Sequence, residues 1–77
     1  MMLPELPKKG RRIFKHLVDW PGFAIADDKS IWKHDGRSWW PIKPKRRGRH
    51  KIVALRLAGS YADCRVDDLY EETFNTS

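Results

Sequence analysis

The chain has 77 residues, with 16 Lys and Arg against 10 Asp and Glu, for a net charge of +6. A length like this holds one small domain, which buries only about 60% of the surface that its unfolded chain exposes. The single cysteine, Cys64, excludes an internal disulfide, three scattered histidines do not supply the paired ligands of a zinc site, and no apolar run reaches the roughly 18 residues that span a membrane.

Residues 1–12 carry two prolines, a glycine and four basic residues, and are expected to form an extended or disordered basic arm ahead of a single domain over 13–77. The basic residues follow the short apolar part, the reverse of a secretory signal, so an intracellular, reducing location is expected. "IFKHLVDW", Ile13 to Trp20, suits a short helix or a strand, and Pro21-Gly22 ends it. "FAIA" from Phe23 reads as a strand, "DDKS" as a turn, and "IWKH" from Ile31 as a second strand. Asp35-Gly36 is a hairpin signal, and "SWWPI" returns as an edge strand because Pro41 cannot donate to a ladder.

The stretch from Lys43 to Lys51 reads as a basic loop broken by Pro44 and Gly48. "KIVALRL" is the clearest strand, with Val53, Leu55 and Leu57 on one face and Ile52, Ala54 and Arg56 on the other. "AGS" is a turn, and "YADCRV" alternates again, placing Ala62, Cys64 and Val66 opposite Tyr61, Asp63 and Arg65. Val66, Leu69, Tyr70, Thr73 and Phe74 then fall at helical spacing, with Asp67 or Asp68 as the expected N-cap. The expected fold is α+β: a small antiparallel sheet of four or five strands with one C-terminal helix packed on it.

Charge is distributed unevenly along this frame. From Gly36 to Leu57 there are eight Lys and Arg and no acid, while Asp63, Asp67, Asp68, Glu71 and Glu72 gather near the other end. A strongly positive side attracts nucleic acid, an acidic protein surface or anionic lipid, and lipid is disfavoured because no long amphipathic helix accompanies the charge. Chemistry has little footing. His16, His34 and His50 each neighbour a basic residue and read as solvated, and Cys64 reads as an inert thiol on a buried strand face. No cofactor or metal is expected.

Of four tryptophans, Trp20 and Trp32 read as core. Trp39 and Trp40 are adjacent and point to opposite faces of their strand, so either one can be buried while the other stands exposed, to stack on a base or an arginine or simply to cover the sheet. The candidate nucleic-acid contacts are Arg11 and Arg12 in the arm, Lys33, Arg37, Trp39 and Trp40 around the hairpin, and Lys43, Lys45, Arg46, Arg47, Arg49 and Lys51 in the basic stretch. Arg presents a planar fork to phosphate oxygens, which gives affinity without sequence specificity.

In this order, Pro21-Gly22-Phe23, Ile25-Ala26, Ile31-Trp32, Ile42-Lys43-Pro44, Gly48, Ile52-Val53, Val66, Leu69 and Phe74 resemble a known module. It is the small N-terminal module that precedes the HNH nuclease domain in phage- and intron-encoded homing endonucleases, and the likeness covers residues 15–74. Lys29 stands where that family has a turn glycine, and Asp67-Asp68 stand where it has His-Arg. The sequence in hand ends at Ser77, before the family's catalytic and metal-binding segment. The resemblance implies the DNA-gripping part of such an enzyme without its nuclease, in the cytoplasm of a bacterial or phage-infected cell. The expectation is therefore a non-enzymatic protein that binds nucleic acid, duplex DNA first and RNA as a variant. The alternative is a small phage effector that binds a host protein and inhibits or redirects it. The sequence does not fix the oligomeric state.

Overall fold

In the computed structural model the described residues are 5–8, 10–57 and 59–75. In chain order they form β1 (Phe14–His16), β2 (Phe23–Ala26), β3 (Ile31–His34), β4 (Trp39–Ile42), β5 (Lys45–Arg47), β6 (His50–Leu57), β7 (Ser60–Arg65) and α1 (Val66–Phe74). The class is α+β, as the alternation pattern predicts. The single sheet of four or five strands, however, is two antiparallel sheets, one ordered β1-β2-β3-β4 and the other β5-β6-β7. The division falls at Lys43-Pro44, between β4 and β5. Pro44 has no N–H to continue the ladder, so the chain leaves one sheet there and starts another.

Side chains alternate across the first sheet. Its register puts Phe14, His16, Ala24, Ala26, Trp32, His34, Trp39 and Pro41 on one face, and Lys15, Phe23, Ile25, Ile31, Lys33, Trp40 and Ile42 on the other. The second face, with Leu17, joins Val53 and Leu55 of β6 and Val66 and Leu69 of α1 in the main core. The helix bridges the two sheets, packing on β6 and β7 and on β1 and β2. Its predicted stripe is correct: Val66 and Leu69 are buried, and Tyr70, Thr73 and Phe74 half-buried. A smaller cluster of Phe14, Ala26 and Trp32 lies on the opposite face, with Leu6 and Trp39 packed against it.

That contact changes the picture of the arm. Residues 1–4 and 9 lie outside the described residues, but Leu6 is half-buried and the Trp39 indole Nε1–H donates to the Glu5 carbonyl. The segment over 5–8 is therefore anchored to the sheet. Ala58 of the expected "AGS" turn and residues 76 and 77 also lie outside the described residues.

The turns follow their residues. Lys29 closes the β2–β3 turn at φ 69, a left-handed conformation that glycine adopts at less steric cost. Its backbone N–H donates to the Ala26 carbonyl at 2.9 Å, and its ammonium meets the Asp67 carboxylate at 2.9 Å. In the β3–β4 turn the Asp35 carboxylate accepts the backbone N–H groups of Arg37 and Ser38, each at 2.8 Å. The expected aspartate cap of α1 is not formed. Arg65 is the N-cap residue, without a side-chain hydrogen bond, and Asp67 and Asp68 fall inside the first turn. β7 runs straight into the helix, so no residue between them is free to cap, and the two acids act on the helix dipole instead.

Candidate nucleic-acid interface

The basic stretch expected as a loop is a hairpin. β5 and β6 pair as Lys45↔Ile52, Arg46↔Lys51 and Arg47↔His50, joined by Gly48-Arg49. Gly48 has φ 60 at the first position of this two-residue connection, as a type II′ turn requires. The ladder satisfies backbone groups that a loop would leave to water, and it sorts the cations by face.

Lys45 and Arg47 lie on the outer face of the second sheet, away from the core. The β6–β7 register adds Arg56 and Arg65 to that face, together with His50, Ile52, Ala54, Tyr61 and Asp63. Four permanent cations thus share a face with one carboxylate. The Arg56 guanidinium lies 5.9 Å from the centre of the Tyr61 ring, within cation–π range. Tyr61 is 60% exposed, and its hydroxyl donates to Asp63 at 3.0 Å. That bond, with the charge of Asp63, raises the phenol's pKa and keeps it protonated. A depression of about 210 Å³ opens between the linker and this face, lined by Ile42, Lys43, Lys45, Arg47, Ile52, Ala54, Tyr61 and Asp63.

The remaining predicted contacts are dispersed. Arg46 and Lys51 pair on the opposite side of the hairpin. Lys43, Arg49 and Lys51 border a cleft of about 470 Å³ that Lys29, Asp28 and Asp67 also line, so two acids offset part of its charge. Arg12 is engaged with Asp28 at 3.1 Å, and Arg11 is exposed beside it in sequence. Lys33, Arg37 and Trp40 sit at the Asp35 hairpin, at the other end of β4 from Lys43. Trp40 is the exposed indole of the pair, at 58%, and its Nε1–H donates to Asp35 at 2.7 Å. Trp39 is half-buried and makes an edge contact with His34 at 5.1 Å. The arm's Arg12 and the Lys43–Lys51 cleft therefore meet at Asp28, whereas the Asp35 hairpin lies apart from the basic stretch.

The histidines and the thiol are only partly as expected. His50 is exposed, but His16 and His34 are half-buried. The His16 Nδ1 is enclosed without a hydrogen-bond partner, and burial pushes its pKa down. The His34 Nδ1 accepts the Gly36 backbone N–H at 3.1 Å. Cys64 is half-buried and its thiol is pushed up, by burial first and then by nearby carboxylates, which suits an inert group. Among the described residues no group of three or more His, Cys, Asp and Glu side chains is placed to share a metal ion, and no helix is long and apolar enough to cross a membrane.

Tyr61, Arg56 and Arg65 are the residues that a reading of the basic run alone passes over. Their signal is the period-two alternation of β6 and β7, which sends all three outward once the two strands pair. Comparison with protein-family models, curated proteins and solved structures found no match to the chain.

Proposed function

We propose that the chain is a nucleic-acid-binding protein without catalytic activity, and that the outer face of the β5-β6-β7 sheet is its main contact. The observation that carries this reading is the sorting of charge by strand register. Lys45, Arg47, Arg56 and Arg65 converge on one side of the sheet with Asp63 as the only acid among them. Arg and Lys gathered on one face can neutralise phosphates, and release of the polyanion's counterions drives association. The acids Asp68, Glu71 and Glu72 lie together along α1, which packs through Val66 and Leu69 on the inner side of the sheet with Val53 and Leu55, opposite the cationic face. The non-catalytic part of the reading is supported by the state of the candidate groups: the His16 Nδ1 is enclosed, the His34 Nδ1 is occupied, burial raises the pKa of Cys64, and the exposed His50 stands opposite Arg47.

The resemblance to the module of homing endonucleases would make the ligand duplex DNA in a phage or mobile-element setting. The test is fluorescence anisotropy with labelled duplex DNA, single-stranded DNA and RNA over a salt series. Affinity should fall steeply as salt rises. Absence of binding to all three at low salt, or binding indifferent to salt, would overturn the reading. A stoichiometric protein captured from nuclease-treated lysate by a chain that binds no nucleic acid would support the alternative, a host-protein effector.

A further inference from the structure

We infer that the outer face of the second sheet takes single-stranded nucleic acid, with an unpaired base stacked on Tyr61 over the depression floored by Ile52 and Ala54. This rests on the nucleic-acid reading above and departs from the duplex that the resemblance implies.

Three features of the face point the same way. The first is its form. β5, β6 and β7 present Lys45, Arg56 and Arg65 from three neighbouring strands of one open sheet, with the aromatic ring of Tyr61 among them, the kind of sheet platform on which unpaired bases stack.

The second is its chemistry. Ile52 and Ala54 form an apolar floor, and Ala54 is small enough to let a flat ring approach. A phosphate gains nothing from such a floor, whereas the face of a base does. In a duplex that face is already covered by its neighbours in the stack, so only an unpaired base has it to offer. Tyr61 stands at the edge of the same depression with most of its ring exposed. Arg56 beside it already has its charge near the ring, an arrangement that extends to a stacked base.

The third is the set of cations. Lys43, Lys45 and Arg47 border the depression, and Arg56 and Arg65 lie on the same face of the sheet on β6 and β7. A single strand that turns its base inward turns its phosphates outward toward these cations. The hydrogen bond from Tyr61 to Asp63 fixes the ring's hydroxyl, and the second carboxylate oxygen of Asp63 remains to accept from a base amino group.

The experiment compares parent, Tyr61→Ala and Tyr61→Phe by anisotropy at about 0.1 M salt. The probes are a mixed-sequence single-stranded DNA of about 12 nucleotides, the RNA of the same sequence, and the DNA duplex. The parent should bind at least one single strand more tightly than the duplex, and the stronger of the two strands identifies the sugar preferred. Tyr61→Ala should weaken single-strand binding by about tenfold or more, the loss of one stacked base, and leave duplex binding almost unchanged. Tyr61→Phe keeps the ring and should bind like the parent. Circular dichroism should be unchanged in both variants. Duplex binding equal to or tighter than both single strands overturns this inference and leaves the nucleic-acid reading standing. So does a Tyr61→Ala effect that is absent or equal for all probes. Absence of binding to every probe overturns both.

Discussion

Replacing Lys45 and Arg47 together by alanine should damage nucleic-acid binding far more than replacing Arg46 and Lys51 together, although the two pairs lie in the same hairpin and remove the same charge. Register is the reason: Lys45 and Arg47 share the outer face with Arg56 and Arg65, while Arg46 and Lys51 pair on the reverse side. If the four outer cations each neutralise one phosphate of a single strand, log K falls against log salt with a slope of about −3, at roughly 0.7 per phosphate. Removing two of them should halve that slope. Each lost contact is worth about 1 kcal/mol at a solvated surface, so affinity should drop by roughly 30-fold at moderate salt. The reverse-face pair should leave the slope unchanged and the affinity within a few fold. Both variants should fold, because exposed substitutions cost within about 0.5 kcal/mol each. Anisotropy titrations at four or so salt concentrations measure both quantities, and thermal melts confirm the fold. Equal losses from the two pairs would show that the run acts as undirected charge. A greater loss from Arg46 and Lys51 would place the contact in the Lys43–Asp67 cleft.

Leu69→Ala should cost about 2–5 kcal/mol, because Leu69 is only 6% exposed in the main core. Phe74→Ala should cost less, about 2 kcal/mol, because its ring is half-buried at the helix end and part of its contact is the stacked Tyr70 at 4.9 Å. Urea unfolding ranks the two, and the opposite order would refute this view of how α1 is held. Asp35 is held down at about 2, first by the Ser38 and Arg37 backbone N–H groups and then by the Trp40 indole. Its stabilising effect should be complete above the ordinary carboxylate range and disappear as pH falls toward about 2. The difference in urea midpoint between parent and Asp35→Ala should therefore shrink across that window. His16 has its pKa lowered by burial, so the unfolded chain binds the proton more readily. Stability should fall as pH drops below the ordinary histidine value of about 6.5, and His16→Gln should flatten that slope.

The sequence makes β6 legible as a strand through the apolar run Ile52-Val53-Ala54-Leu55, but because both of its faces are apolar there the inward side is decided only by the burial of Val53 and Leu55 in the structure. The stripe from Val66 to Phe74 identifies α1 and its buried face. The charge run conceals β5, because Lys45, Arg46 and Arg47 show no hydrophobic alternation and the strand exists only through pairing with His50 to Ile52. Gly48-Arg49 between two pairable segments is the local sign that such pairing occurs. The same gap hides the division into two sheets, since nothing apolar in Lys43-Pro44-Lys45 indicates which neighbour the next strand will find. The site suffers most from this. Lys and Arg can be counted from composition, but which of them share a face depends on register, and Tyr61 enters the site only when β7 is laid beside β6.

β6 holds the core with every second side chain and the cationic face with those between, so its two tasks cannot drift apart. A slip of one residue against β7 would send Val53 and Leu55 outward and press Ile52, Ala54 and Arg56 toward the core. Such a misfolded chain would lose the cationic face as well as its stability. If that face binds a polyanion as proposed, binding reports on correct strand alignment, and a polyanion present while the chain folds would favour the aligned species by mass action.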